Sequence, residues 1–206
     1  MAVQAAAERA DVAEEHPGDA DPAQHPLLVH QGDWTLEDLE RLPDDGRKYE
    51  VVDGSLLVVS GPRPPHALVV GALIEVLRPA ARAAGLALLA EVALPYRATV
   101  RVPDLAVVTR AAALRHSPPP TDDVVLAVEV QSPGTATTDQ VTKHHEYAEV
   151  GIEHYWRVVP GDGPLVVVHR LAGGIYDVVA EARGDEELHV DQPFDVALRP
   201  ADLLQP

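Results

Sequence analysis

The sequence predicts an α/β domain built on a mixed β-sheet with few helices. Three observations carry that expectation. The runs at 101–109 and 124–131 are nearly continuous in apolar residues, as strands buried on both faces are. The run at 66–84 places Leu68, Val69, Ala72, Leu73, Val76 and Leu77 at helical spacing, with Gly85 as its terminator. Short strand-turn-strand signals stand on either side of these runs, and that alternation belongs to the α/β class.

The elements follow in order. Residues 1–33 are rich in Ala, Asp, Glu and Pro and lack periodicity, so they read as a disordered acidic tail ahead of a folded domain at 34–206. Thr35-Leu-Glu-Asp38 forms a capping-box pattern for a short helix bearing Leu36, Leu39 and Leu42. Tyr49-Glu-Val-Val52, Asp53-Gly54 and Ser55-Leu-Leu-Val-Val59 make a hairpin, since Asp-Gly suits a type I′ turn. In the 66–84 helix Pro79 removes one backbone hydrogen bond, which predicts a kink or a break near Arg78. Strand pieces follow at 86–92 and 94–97, then strands at 101–109 and 124–131, with Ser117-Pro-Pro-Pro120 as a loop between these two. Thr138 or Asp139 caps a helix reaching Val150 and closed by Gly151. Strands at 155–159, 165–170 and 176–180 come next, joined by glycine-rich turns, and 200–204 is a helical turn at most.

Composition narrows the function. At 206 residues and 46% apolar, the chain has enough material for one full core. No apolar run approaches the roughly 18 residues that span a membrane, and the first residues lack the basic start and apolar core of a signal peptide. Cysteine is absent, which removes disulfides, thiolate metal sites and cysteine nucleophiles and fits a cytoplasmic protein. The net charge is −17, of which residues 1–33 supply −6. Such a balance opposes loose electrostatic binding of a polyanion, so a nucleic-acid substrate requires a metal ion and local arginines.

The chemistry gathers in the stretch 101–143. Asp104 follows Pro103 at the start of an apolar run, and Glu129 stands between Val128 and Val130 inside another. A charged group on a buried strand needs a partner, because bare burial costs several kcal/mol. Each acid could pair with one of the fourteen arginines. Alternatively the two share a cation, and Mg²⁺ typically takes one or two carboxylates and keeps several waters. The chain has only two lysines, Lys48 and Lys143. Lys143 falls in the helix after the Glu129 strand, from where it could reach back over the strand end; a compact ammonium suits a phosphate oxygen or a water.

Other groups read more plainly. His144-His145-Glu146 lacks the second histidine of the zinc-protease helix, and helical spacing sends the two rings to different faces. His66 opens a helix, where a capping or surface role outweighs a place at the site entrance. Tyr147 and Trp156 read as core. Neither a phosphate-binding glycine loop nor a nucleophile elbow is present.

Five ordered blocks carry a resemblance. They are Tyr49-Glu-Val-Val-Asp-Gly, Pro103-Asp-Leu-Ala-Val-Val, Val128-Glu-Val-Gln-Ser-Pro, the helix from Lys143 to Tyr147, and Gly151-Ile-Glu-His-Tyr-Trp156. Together they resemble the Uma-type restriction-endonuclease-like family of the PD-(D/E)XK nuclease superfamily. The resemblance implies a restriction-endonuclease-like mixed β-sheet core flanked by α-helices, with the site at strand ends. It implies Asp104 and Glu129 as metal ligands, the Val130 carbonyl as a third oxygen, and Glu50 as a further acid near the metal. It also implies Mg²⁺ or Mn²⁺ as cofactor and phosphodiester hydrolysis, of DNA, as the reaction. The superfamily lysine is expected where this chain has Gln131, and Lys143 matches the place to which Uma-type chains move it. A nuclease fold without turnover, acting as a binding or regulatory module, is the other reading. Cutting two strands with paired subunits would make the protein a homodimer.

Overall fold

The computed structural model describes residues 29–30, 32–59, 63–132 and 138–205. The chain forms two compact units, one of Met1–Gly61 with Pro95–Val102 and one of Pro62–Leu94 with Pro103–Pro206. Of the tail expected at 1–33, residues 1–28 and Gln31 lie outside the described residues.

The first unit carries a five-stranded sheet. Its strands are β1 (Val29–His30), β2 (Lys48–Val52), β3 (Ser55–Val59), β5 (Leu94–Tyr96) and β6 (Thr99–Arg101), and β4 belongs to the other unit. They lie in the order β1-β3-β2-β6-β5. β2 and β3 form the expected hairpin, and Asp53 (φ 47°) and Gly54 (φ 77°) both take the positive φ of a type I′ turn. Gly54 is required there for a second reason. A Cβ at that position would stand 3.0 Å from the Gly32 carbonyl oxygen. The helix Leu36–Leu39 has its full capping box, with Thr35 and Asp38 bonding each other's backbone N–H. Between β2 and β6, Glu50 and Arg101 form a buried ion pair, Nη1 to Oε2 at 2.9 Å, and the Val102 N–H donates to Glu50 Oε1 at 3.2 Å.

The second unit carries a six-stranded mixed sheet in the order β11-β10-β9-β8-β7-β4. Its strands are β4 (Leu86–Ala90), β7 (Leu105–Thr109), β8 (Val124–Val130), β9 (His154–Val159), β10 (Leu165–Ala172) and β11 (Ile175–Arg183). Only β8 and β9 run parallel. Both faces are covered, which explains the unbroken apolar runs. On one face the helix Pro64–Ala83 lays Val69, Leu73, Leu77 and Ala81 against Leu105, Val107, Leu126, Val128 and Trp156. The four-residue spacing of those helix positions is one helical stripe. On the other face Tyr147, Ala148 and Ile152 join Ala106, Ala127, Tyr155 and Tyr176.

Several expectations change. The helix does not break at Pro79; it runs unbroken for 20 residues. Pro79 and Glu75 are both exposed, so the carbonyl that loses its partner faces water. The helix also starts earlier, because Pro64 and Pro65 occupy first-turn positions whose N–H groups need no helical partner. The strand expected at 101–109 is two strands in two sheets, β6 and β7. Pro103 cannot donate to a ladder, so pairing stops there. The helix expected from Thr138 to Val150 begins as a π-helix, Thr138–Lys143, and becomes α only at His144–Glu149. The hairpin of β12 (Leu188–Val190) and β13 (Val196–Leu198) and the short helix Arg110–Ala113 are too brief to show periodicity in the sequence.

His169 on β10 is buried in a cluster of rings with His144, Tyr155 and Tyr176. Burial, then the neighbouring His144, lowers its pKa from 6.5 to about 4. Between those values the unfolded chain binds the proton and the folded one does not. Stability is therefore complete above pH 6.5 and falls as pH drops towards 4. The loss should reach about 1–3 kcal/mol, allowing for partial solvation. Urea denaturation at pH 7.5, 5.5 and 4.5 should show it, and His169→Phe should flatten that part of the curve.

Candidate active site

The site starts from the break at Pro103. β7 pairs with β8 through Leu105↔Val128, Ala106↔Ala127 and Val107↔Leu126. One step outward from Leu105 and Val128 stand Asp104 and Glu129, so the register brings the two acids to the same end of adjacent strands. Asp104 is buried, and its Oδ2 accepts from the Val130 N–H at 2.8 Å. The same oxygen accepts from His66 Nε2 at 3.1 Å.

Glu129 lies on β8 and shares the face of Ala127, because side chains alternate along a strand. That face packs against the helix carrying Tyr147. Only 2% of Glu129 is exposed. Its Oε1 accepts from Lys143 Nζ at 3.0 Å and from the Tyr147 hydroxyl at 2.8 Å. Lys143 is itself buried. It ends the π-helix and has helical backbone (φ −64°, ψ −38°) at the cap of the following α-helix. Lys143 and Tyr147 are four residues apart, so they share one helical face and meet one carboxylate together. A π-helical turn in this position is a feature that recurs at functional sites.

The structure thus joins Asp104, Val130, Glu129 and Lys143 around the ends of β7 and β8. Gln131 follows directly after β8, half-buried, with its N–H donating to the Val158 carbonyl at 2.7 Å. Glu50 belongs to the other unit, where its carboxylate takes Arg101 and the Val102 N–H. Reasoning from sequence set two residues aside that the structure brings in. Tyr147 is core as expected, yet its hydroxyl also holds Glu129. His66, read as a cap or surface residue, bonds Asp104. The four-residue step from Lys143 to Tyr147 was the available signal for the first. His66 had no such signal, since its partner lies 38 residues on. His144 packs edge-on against Tyr155, His169 and Tyr176, and burial lowers its pKa, while His145 is exposed.

Among the described residues no three His, Asp or Glu side chains gather as a ready metal cage. The donors at the strand ends are two carboxylates and a backbone carbonyl. An all-oxygen set with few protein ligands suits Mg²⁺, which completes its shell with water.

A mixed sheet covered by helices on both faces, with acids at the ends of adjacent strands, places the chain among proteins of the restriction-endonuclease-like fold. Residues 36–201 match Uma2, the family described as "Putative restriction endonuclease", and the chain belongs to that family. A solved structure of a putative nuclease belonging to DUF820 from Anabaena variabilis ATCC 29413 is similar in fold. Its TM-score is 0.64 at 18% identity, covering 83% of this chain and 97% of that one. No curated protein matches. No helix among the described residues is long and apolar enough to cross a membrane.

Removing Lys143 leaves Glu129 buried with a lost counter-charge. Breaking one partner of a buried pair costs about 3–5 kcal/mol, and the Tyr147 hydroxyl should bring Lys143→Met to the low end of that range. Tyr147→Phe should cost less, about 1.5–3 kcal/mol, the worth of a hydrogen bond to a charged group. Urea unfolding of the two variants checks both the size and the order.

Proposed function

We propose that this member of the Uma2 family is a metal-dependent endonuclease that hydrolyses phosphodiester bonds of DNA. The observation that supports it most is the pair Asp104 and Glu129, placed by strand register at one end of β7 and β8, with Lys143 bonded to Glu129. Asp104, Glu129 and the Val130 carbonyl would hold Mg²⁺ or Mn²⁺. When bound, the ion supplies charge neutralisation at the phosphate and lowers the pKa of water.

The chain's own residues do the rest. Asp104 is held by the Val130 N–H, so β8 itself helps to set its position. Lys143 places a positive charge beside Glu129, where it stabilises negative charge developing on a phosphate or orients a water. Tyr147 keeps the Glu129 carboxylate in place when Lys143 moves to that task. Gln131, in the place of the superfamily lysine, offers a hydrogen bond and no charge. The role of the superfamily lysine therefore falls to the helix-borne Lys143. Glu50 remains a proposed further acid of the site. The pairing of subunits and a cytoplasmic location belong to the same proposal.

The second reading, a nuclease fold that binds without turnover, draws on Gln131 and on the net charge of −17. One experiment separates the two. Plasmid, single-stranded DNA and RNA are incubated with the protein and Mg²⁺ or Mn²⁺, beside Asp104→Ala and Glu129→Gln. The expected result is metal-dependent DNA cleavage that falls by at least about 10³-fold in each variant, with folding checked by circular dichroism. Binding of metal and DNA without cleavage by the parent selects the second reading. Cleavage retained in both variants removes these acids from the chemistry.

A further inference from the structure

The helix Pro64–Ala83 brings a polar side chain, His66, to Asp104. His66 occupies its third position, after Pro64 and Pro65. Arg63 caps the helix with extended backbone. The two prolines fix φ in the first turn, so the residue that follows starts from a stiff base. The His66 side chain is 15% exposed, and its Nε2 lies 3.1 Å from Asp104 Oδ2. A carboxylate oxygen only accepts, so Nε2 carries the hydrogen. The Val130 N–H donates to the same Oδ2 at 2.8 Å. Two donors from two different elements therefore fix one oxygen, and with it the direction in which the carboxylate faces.

We propose that His66 is a positioning residue for Asp104, orienting its carboxylate for a divalent cation. The inference rests on the metal reading above. It goes beyond it by giving the start of the long helix a task at the site. Partners that orient a metal-binding carboxylate matter because the ion does not have to spend binding energy on ordering it; their removal typically lowers metal affinity by about 10–100-fold. The competing role for His66 is a plain tie between the helix and β7. That role predicts lower stability with metal affinity unchanged.

The test is Mn²⁺ titration calorimetry on the full chain, His66→Ala and His66→Gln, with metal-free thermal unfolding of all three. Glutamine can place an amide N–H near the position of Nε2. The parent should bind Mn²⁺, the alanine variant should bind about 10–100-fold more weakly, and the glutamine variant should recover most of that loss. Unchanged affinity in His66→Ala overturns the proposal, whatever happens to Tm. Equal loss in both variants overturns it too, since the donor would then be irrelevant. If His66→Ala does not fold, His66→Leu fills the volume without a donor and takes its place. A parent that binds no Mn²⁺ defeats the metal reading itself, and this proposal with it. Binding by the parent with no effect of His66→Ala defeats only the proposal.

Discussion

Glu129 is the constraint around which the second unit is arranged. A carboxylate between two valines on a strand covered on both faces has lost its water. Its burial is made tolerable by an ammonium and a hydroxyl that bond it in place of that water. Both donors come from one helix, so the helix must dock on this face of the sheet and in this rotation. Docking also brings Ala148 and Ile152 into the core and sets His144 against the rings of Tyr155 and Tyr176. The polar requirement and the apolar packing thus specify the same placement. Agreement between local and global demands of this kind is what gives a sequence one structure.

Asp104 is held differently. Part of its constraint comes from backbone, through the Val130 N–H, beside the His66 ring. Pro103 contributes by ending one ladder, so that Asp104 stands at the start of the next. Val130 is therefore a joint of the site as well as a core residue. Its side chain packs with Val128 and Val158, while its N–H fixes the acid of the neighbouring strand. A substitution there that keeps volume would keep the core, but only an unshifted backbone would keep Asp104.

Much of this was legible in the sequence because it rests on period and punctuation. The Asp53-Gly54 turn, the Thr35 capping box, the 66–84 helix and the doubly buried strands all follow from local chemistry, and the two acids stood out because buried strands rarely carry charge. What escaped depends on geometry across the fold. The effect of Pro79 turned on which side of the helix faces water, and the split of the 101–109 run turned on which sheet each half joins. The π-helical start of the segment before Lys143 has no residue pattern of its own. His66 and Tyr147 are ordinary residues until the partner carboxylate is placed beside them.

The charge of the site also bears on the charge of the whole chain. At −17 the protein repels a polyanion at long range, although salt confines that repulsion to about 8–10 Å. At the strand ends Asp104 and Glu129 bring two carboxylates, and Lys143 pairs with the second of them. A nucleic-acid phosphate would not settle against such a cluster unaided. A divalent cation held by these carboxylates would, on the proposed reading, add positive charge where the phosphate has to settle. On the proposed reading the cation is then needed for substrate to approach as much as for the chemistry. An acidic chain would gain from that arrangement, because its affinity for nucleic acid would be confined to the place where the metal is held.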